Sequence, residues 1–206
     1  MGRFICLEGI DGCGKSTQVA ALENLFKSEG RKVLRIREPG GTKISEAVRQ
    51  ILLDPEYKGK MNDITELFLY NAARSQLIQE VIKPALQKGF VVLADRFAYS
   101  TLAYQGYGRG LDIEMVKNML RMACGVFFPN KTFILDIPVP LSRERCSKDA
   151  SRNETDRIEC EQDDFFERVR QGYRAIAREN SQTCVLVNAT GSQENIFKFL
   201  VSHLSS

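Results

Sequence analysis

Arg3-Phe4-Ile5-Cys6-Leu7-Glu8 runs straight into Gly9-Ile10-Asp11-Gly12-Cys13-Gly14-Lys15-Ser16-Thr17, and this junction decides the fold. The first six residues form a short apolar run that reads as a buried strand. The octet from Gly9 to Ser16 matches G-x-x-x-x-G-K-[ST]. An apolar stripe of Ala20, Leu22, Leu25 and Phe26 at helical spacing follows and is ended by Gly30. Strand, glycine-rich loop and helix in that order give the motif its physical meaning. Glycines let the backbone curl so that successive N–H groups face inward, and the helix N-terminus adds partial positive charge. Lys15 can reach the β- and γ-phosphates of a nucleoside triphosphate, and Ser16 can offer its hydroxyl to Mg²⁺. Gly9 through Thr17 are therefore the expected nucleotide-binding residues, with Lys15 catalytic and Ser16 a metal ligand.

Four more apolar, β-branched-rich runs lie at residues 32–37, 90–95, 131–136 and 183–188. Near-continuous apolarity, as in Phe90-Val91-Val92-Leu93-Ala94, marks strands buried on both faces of a parallel sheet. Helical stripes alternate with them. One carries Leu67, Phe68, Ile78, Val81, Ile82, Ala85 and Leu86, with Pro84 expected to kink or shorten it. Another carries Phe165, Val169, Tyr173 and Ile176, and a last one Ile196, Phe199 and Leu200. The expected fold is α/β: a doubly wound, five-stranded parallel sheet with helices on both faces, in one domain over residues 1–206. Residues 147–161 are polar and charge-dense, and they read as a short mobile lid.

Composition narrows the chemistry. With 206 residues, 43% of them hydrophobic, the chain suits a single core. Twenty-nine Lys and Arg against 26 Asp and Glu leave a net charge of +3, too balanced to argue for nucleic acid or an anionic membrane. No apolar run approaches the roughly 18 residues of a membrane span. No signal-like cleavage site follows the N-terminus, and six scattered cysteines read as reduced thiols in the cytoplasm. The single histidine, His203, makes a His-based nucleophile system or zinc site improbable.

The loop leaves three classes open: a kinase, a regulatory GTPase, and a motor or DNA-dependent ATPase. No D-x-x-G follows it, and Asn130-Lys131-Thr132-Phe133 lacks the Asp of a guanine-reading N-K-x-D. A small-molecule kinase needs a second site for its acceptor, and the remaining motifs fit that need. They are Arg37-Glu38-Pro39-Gly40-Gly41-Thr42, Tyr70-Asn71-Ala72-Ala73-Arg74, Asp95-Arg96-Phe97 and Ser100-Thr101-Leu102-Ala103-Tyr104-Gln105-Gly106. Asp95, ending a buried strand, is a metal-partner candidate, and Arg96 beside it suits a phosphate. Taken singly, Arg74 could be an ordinary exposed arginine and Asp95-Arg96 a surface ion pair.

Together with Asp156-Arg157-Ile158-Glu159, these motifs resemble thymidylate kinase of the bacterial type over the whole chain. The resemblance implies transfer of a phosphoryl group from Mg-ATP to dTMP, giving dTDP on the way to dTTP, by a cytoplasmic homodimer. It implies that Asp11 approaches the deoxyribose 3′-hydroxyl or organises the acceptor-side arginines. Arg74 and Arg96 would hold the acceptor phosphate or the thymine edge, with Arg49 a further phosphate contact. Tyr70 would stack on thymine, where relatives typically carry Phe; Thr101 and Gln105 would read the base edge; Tyr104 would crowd the sugar 2′ position. Glu38 falls among the substrate-binding residues, and were the acceptor a nucleoside it would be the candidate base. The loop has no basic residue in its variable positions, so Arg152 and Arg157 of the lid are expected to act on the transferred phosphoryl group. The alternative for Arg157 is a one-turn pair with Glu161. Arg143 or Arg145 could stack on adenine opposite the 189–191 turn.

Overall fold

The computed structural model describes residues 2–148 and 156–204. Its strands are β1 (Arg3–Glu8), β2 (Val33–Arg37), β3 (Val91–Asp95), β4 (Lys131–Asp136) and β5 (Cys184–Asn188). They form one parallel sheet in the order β2-β3-β1-β4-β5. Lys32, Phe90 and Thr183 fall just outside their strands, although each still gives its carbonyl to the neighbouring ladder. The inner strands β1, β3 and β4 are buried almost throughout, whereas β2 and β5 are only partly buried. That contrast follows from position: an edge strand has one neighbour, and a central strand is covered on both faces.

The helices are α1 (Lys15–Ser28), α2 (Lys43–Leu53), α3 (Asp63–Leu77), α4 (Lys83–Gln87), α5 (Ala98–Thr101), α6 (Ile113–Cys124), α7 (Val139–Ser147), α8 (Asp163–Glu179) and α9 (Gln193–Ser202). Helix α1 packs on β1, β2 and β3 and meets α9, which reaches β5. Helix α8 packs on β4 and β5, and α3 packs on α6. The stripe Phe165, Val169, Tyr173 and Ile176 is wholly buried, as its period requires.

The stripe around Pro84 is not one regular helix. Helix α3 passes through a π-helical turn, Ile78–Ile82, into α4. Pro84 is the second residue of α4, directly after the π-helical turn; a proline inside continuous helix forgoes an N–H bond, and the helix changes register just before it. Phe68 is not part of the core; it is 55% exposed.

Strand β1 sits between β3 and β4, so the chain order reverses about it and a crevice opens beyond the carboxyl ends of the strands. Gly9, Glu38, Arg96 and Ala189 each follow directly on one of those ends. The site is built there.

Candidate active site

The phosphate loop closes where β1 ends. Gly9 has φ 134°, and a Cβ there would lie 2.4 Å from the carbonyl oxygen of Leu135, so no side chain fits. Gly14, left-handed at φ 95°, caps α1. Lys15 is buried, with its Nζ 3.1 Å from the carbonyl oxygens of Gly9 and Ile10 and 3.8 Å from the Asp11 carboxylate. Ser16 Oγ donates to Asp95 Oδ2 at 2.5 Å, so the two expected metal residues are neighbours. Cys13 is buried, and that burial pushes its thiol up, which makes it packing and not a nucleophile.

Arg96 is the one non-glycine residue with positive φ among the described residues, at 70°. A strained backbone persists only where its surroundings hold it, and here they do. Its N–H donates to Leu7 O at 2.9 Å; its guanidinium donates to Gly9 O at 2.9 Å and Asp11 Oδ1 at 2.8 Å and lies over the Tyr104 ring. Beneath it stands Glu8, fully buried, which the sequence reading passed over. The Glu8 carboxylate accepts from Phe97 N at 2.9 Å, Ser100 N at 3.1 Å, Ser100 Oγ at 2.5 Å and Tyr173 OH at 3.0 Å. Burial pushes its carboxyl up against the pull of these donors and of Arg96. Its signal in the sequence was a charge ending an apolar strand, which must be paired if the strand is buried.

Beside the loop four segments meet: the turn after β2, α2, α3 and the stretch that carries Thr101 to Gln105. Arg74 is 1% exposed, not the ordinary surface arginine it might be taken for. Its Nε donates to Glu38 Oε2 at 2.9 Å, and its Nη2 donates to Thr101 Oγ1 at 3.0 Å and Phe97 O at 3.2 Å. Burial drives the Glu38 carboxyl up to about 7, although Arg74 pulls the other way. Glu38 Oε1 and Arg74 Nη1 are buried without partners among the described residues. Tyr104 and Gln105 lie in a π-helical segment, Leu102–Gly108, an irregularity frequent at functional sites and one that periodicity cannot foresee. Gln105 Nε2 donates to Glu66 Oε1 at 2.7 Å. Arg49 donates to Pro39 O at 2.8 Å, and burial beside Arg37 lowers its basicity.

One cleft of about 760 Å³ takes in the loop from Asp11 to Thr17 together with Glu38, Arg49, Tyr70, Arg74, Asp95, Arg96, Thr101, Tyr104 and Gln105. Arg145 also lines it and donates to Ala189 O at 3.1 Å; Arg143 instead binds Asp163 and the Glu159 and Glu161 carbonyls.

Arg157 is a correction. It is 3% exposed and does not line the cleft. Its Nε donates to Leu52 O at 2.8 Å, its N–H to Leu53 O at 3.0 Å, and Nη2 lies 2.6 Å from Glu66 Oε2. An arginine so anchored is not held in water awaiting substrate. Nor does it pair with Glu161, whose carboxylate takes Arg109 at 2.6 Å. Arg152, with residues 149–155 of the expected lid, lies outside the described residues.

Comparison with known proteins agrees with this geometry. A family model described as thymidylate kinase matches residues 7–200. The thymidylate kinase of Desulforudis audaxviator is 48% identical over 91% of this chain and 83% of its own. That of Kosmotoga olearia is 44% identical over 96% of this chain and 93% of its own. The crystal structure of thymidylate kinase from Ehrlichia chaffeensis superposes with a TM-score of 0.78 at 31% identity, covering 98% of both chains. Phosphate loop, the cleft beside it and whole-chain similarity lead to one conclusion: this chain belongs to the thymidylate kinase family, enzymes that phosphorylate dTMP to dTDP.

Proposed function

We propose that ATP lies with its phosphates on the Gly9–Thr17 loop and dTMP in the pocket of Tyr70, Arg74, Thr101 and Gln105. The reaction is ATP + dTMP → ADP + dTDP. Phosphoryl transfer asks little covalent help from the protein; it asks that two anions be aligned and their repulsion offset. Two unit charges ~4 Å apart repel by about 4 kcal/mol at an effective dielectric near 20, and the reacting phosphates carry several. Lys15 faces the donor phosphates and Arg96 the acceptor phosphate, with Arg49 beside it. No strong base is needed, since the acceptor phosphate is largely ionised at neutral pH. Tyr70 stacks on the base, Tyr104 crowds the sugar, and Arg145 flanks the adenine. Arg152 remains the candidate for the lid arginine.

Mg²⁺ fits the residues present. One hydroxyl and one carboxylate side by side, Ser16 and Asp95, resemble the sparse protein ligation that Mg²⁺ takes beside phosphates and water. When bound, it would neutralise the donor phosphates. The homodimer finds support in exposed apolar residues on α3 and on the two helices it packs against: Phe68 on α3, Ile51 on α2 and Met122 on α6. A reducing, cytoplasmic setting suits six free cysteines.

The observation that carries the assignment is the Asp11–Arg96 pair, which ties the phosphate loop to the acceptor pocket. A coupled assay of ADP release with Mg-ATP tests it across dTMP, dUMP, CMP, GMP and thymidine. Turnover highest with dTMP is expected. Preference for thymidine would favour a nucleoside kinase, and release with none of them a nucleotide switch.

A further inference from the structure

Glu66, on α3, is 1% exposed and has no part in the roles assigned above. Its carboxylate is a hub. Oε1 accepts from Gln105 Nε2 at 2.7 Å and Arg109 Nε at 3.3 Å; Oε2 accepts from Arg109 Nη2 at 3.2 Å and lies 2.6 Å from Arg157 Nη2. Burial alone would push this carboxyl up, but Arg109 and Arg157 outweigh it and hold the group below the ordinary value. An ionised carboxylate accepts and never donates. The Gln105 amide therefore has one permitted orientation: NH₂ toward Glu66, Oε1 turned away. Among the described residues no donor meets that Oε1, and Gln105 lines the cleft.

We infer that Glu66 is a positioning residue for base selection: it locks the Gln105 amide so that Gln105 can only accept a hydrogen bond from the base. The inference rests on the reading that Gln105 faces the pyrimidine edge. Close by, Thr101 Oγ1 already accepts from Arg74 Nη2, which leaves its hydrogen for another acceptor. A donor beside an obligate acceptor matches a base edge of carbonyl oxygen next to N3–H, as in thymine and uracil. Cytosine presents the reverse, an amine beside an N3 lone pair, and would leave buried groups unpaired. Because uracil shares the thymine edge, Glu66 contributes nothing to reading the methyl group, which supplies an internal control.

The test is kcat/KM for dTMP, dUMP and dCMP in Glu66→Gln and Gln105→Ala. Glutamine at 66 can donate as well as accept, so the Gln105 amide becomes free to turn. The dTMP:dCMP ratio is expected to fall at least ~10-fold in Glu66→Gln while dTMP:dUMP stays within about 2-fold. Equal loss on all three substrates, accompanied by a lower Tm, would overturn the inference and leave Glu66 a structural role. If Gln105→Ala narrows the dTMP:dCMP preference and Glu66→Gln does not, positioning is wrong and the base reading stands. If Gln105→Ala leaves the preference intact, the base reading itself fails and the inference with it. Glu66→Gln also takes the carboxylate partner from the buried Arg157, so Gln105→Glu provides a second test with Glu66 intact. Its carboxyl must be protonated to donate to Glu66, so its kcat/KM relative to wild type should fall as pH rises from about 6 to about 8. A flat relative profile would count against the inference.

Discussion

Arg96 and Asp11, 85 residues apart in sequence, meet at 2.8 Å, and their contact joins the phosphate loop to the end of β3. A carboxylate within a phosphate loop carries locally the wrong sign for ATP. Its partner explains its presence: Asp11 aims an arginine whose own backbone is strained into place.

Asp11→Asn should therefore lower kcat/KM for dTMP by more than ~10-fold, as for a lost charge-assisted hydrogen bond. ATP affinity should change little. Titration of each nucleotide separately checks this, and loss of ATP binding with dTMP binding intact would reverse the assignment.

Arg157→Ala should act on folding first. It removes one partner from a buried ion pair with Glu66 and one donor from Leu52 O, a loss of about 3 kcal/mol or more. Urea unfolding should show the shift, with kcat at saturating substrates reduced less than ~10-fold. A fall in kcat of ~10²-fold or more at unchanged stability would return Arg157 to the lid chemistry.

Glu38 makes a pH prediction. Its folded carboxyl is raised from 4.5 to about 7, so between those values the folded state binds a proton that the unfolded state has lost. Stability from this group is thus greatest at low pH and declines as pH rises through that window. Glu38→Gln carries no such proton. The stability of wild type minus that of the variant should fall between pH 4.5 and about 7 and level off on either side. Denaturant melts across that range decide it, and a constant difference would mean that Glu38 is ionised throughout.

Asp95→Asn should raise the Mg²⁺ concentration for half-maximal activity by ~10-fold or more, since the carboxylate beside Ser16 Oγ orients that hydroxyl. KM for dTMP should hold steady. An unchanged Mg²⁺ titration would confine Asp95 to holding the strand end.

Much of this protein was legible in one dimension. The phosphate loop is contiguous, and its glycines, Lys15 and Ser16 act through backbone geometry that a few adjacent residues specify. The inner strands announced themselves because burial on both faces demands near-unbroken apolar runs, and all five strands begin within one residue of the expected place. Tyr70, Arg74, Thr101 and Gln105 could be picked out as motif members, and they line one cleft.

What the sequence could not decide were the partners of charged residues. Arg74 and Arg157 look alike on paper, an arginine near a helix in a polar setting, yet both are buried and each is tied to a carboxylate far along the chain. Glu8 and Glu66 stood unnoticed in apolar segments, although each collects donors from two or more elements. The π-helical register that carries Tyr104 and Gln105 likewise has no local signature. The physical reason is the same in each case. Periodicity and turn chemistry are set by neighbours in the chain, so sequence alone determined the strand–loop–helix order and the phosphate loop. The electrostatics of a buried charge depend on which distant groups packing brings within 3 Å and on how much water it excludes, and only the tertiary structure decided those.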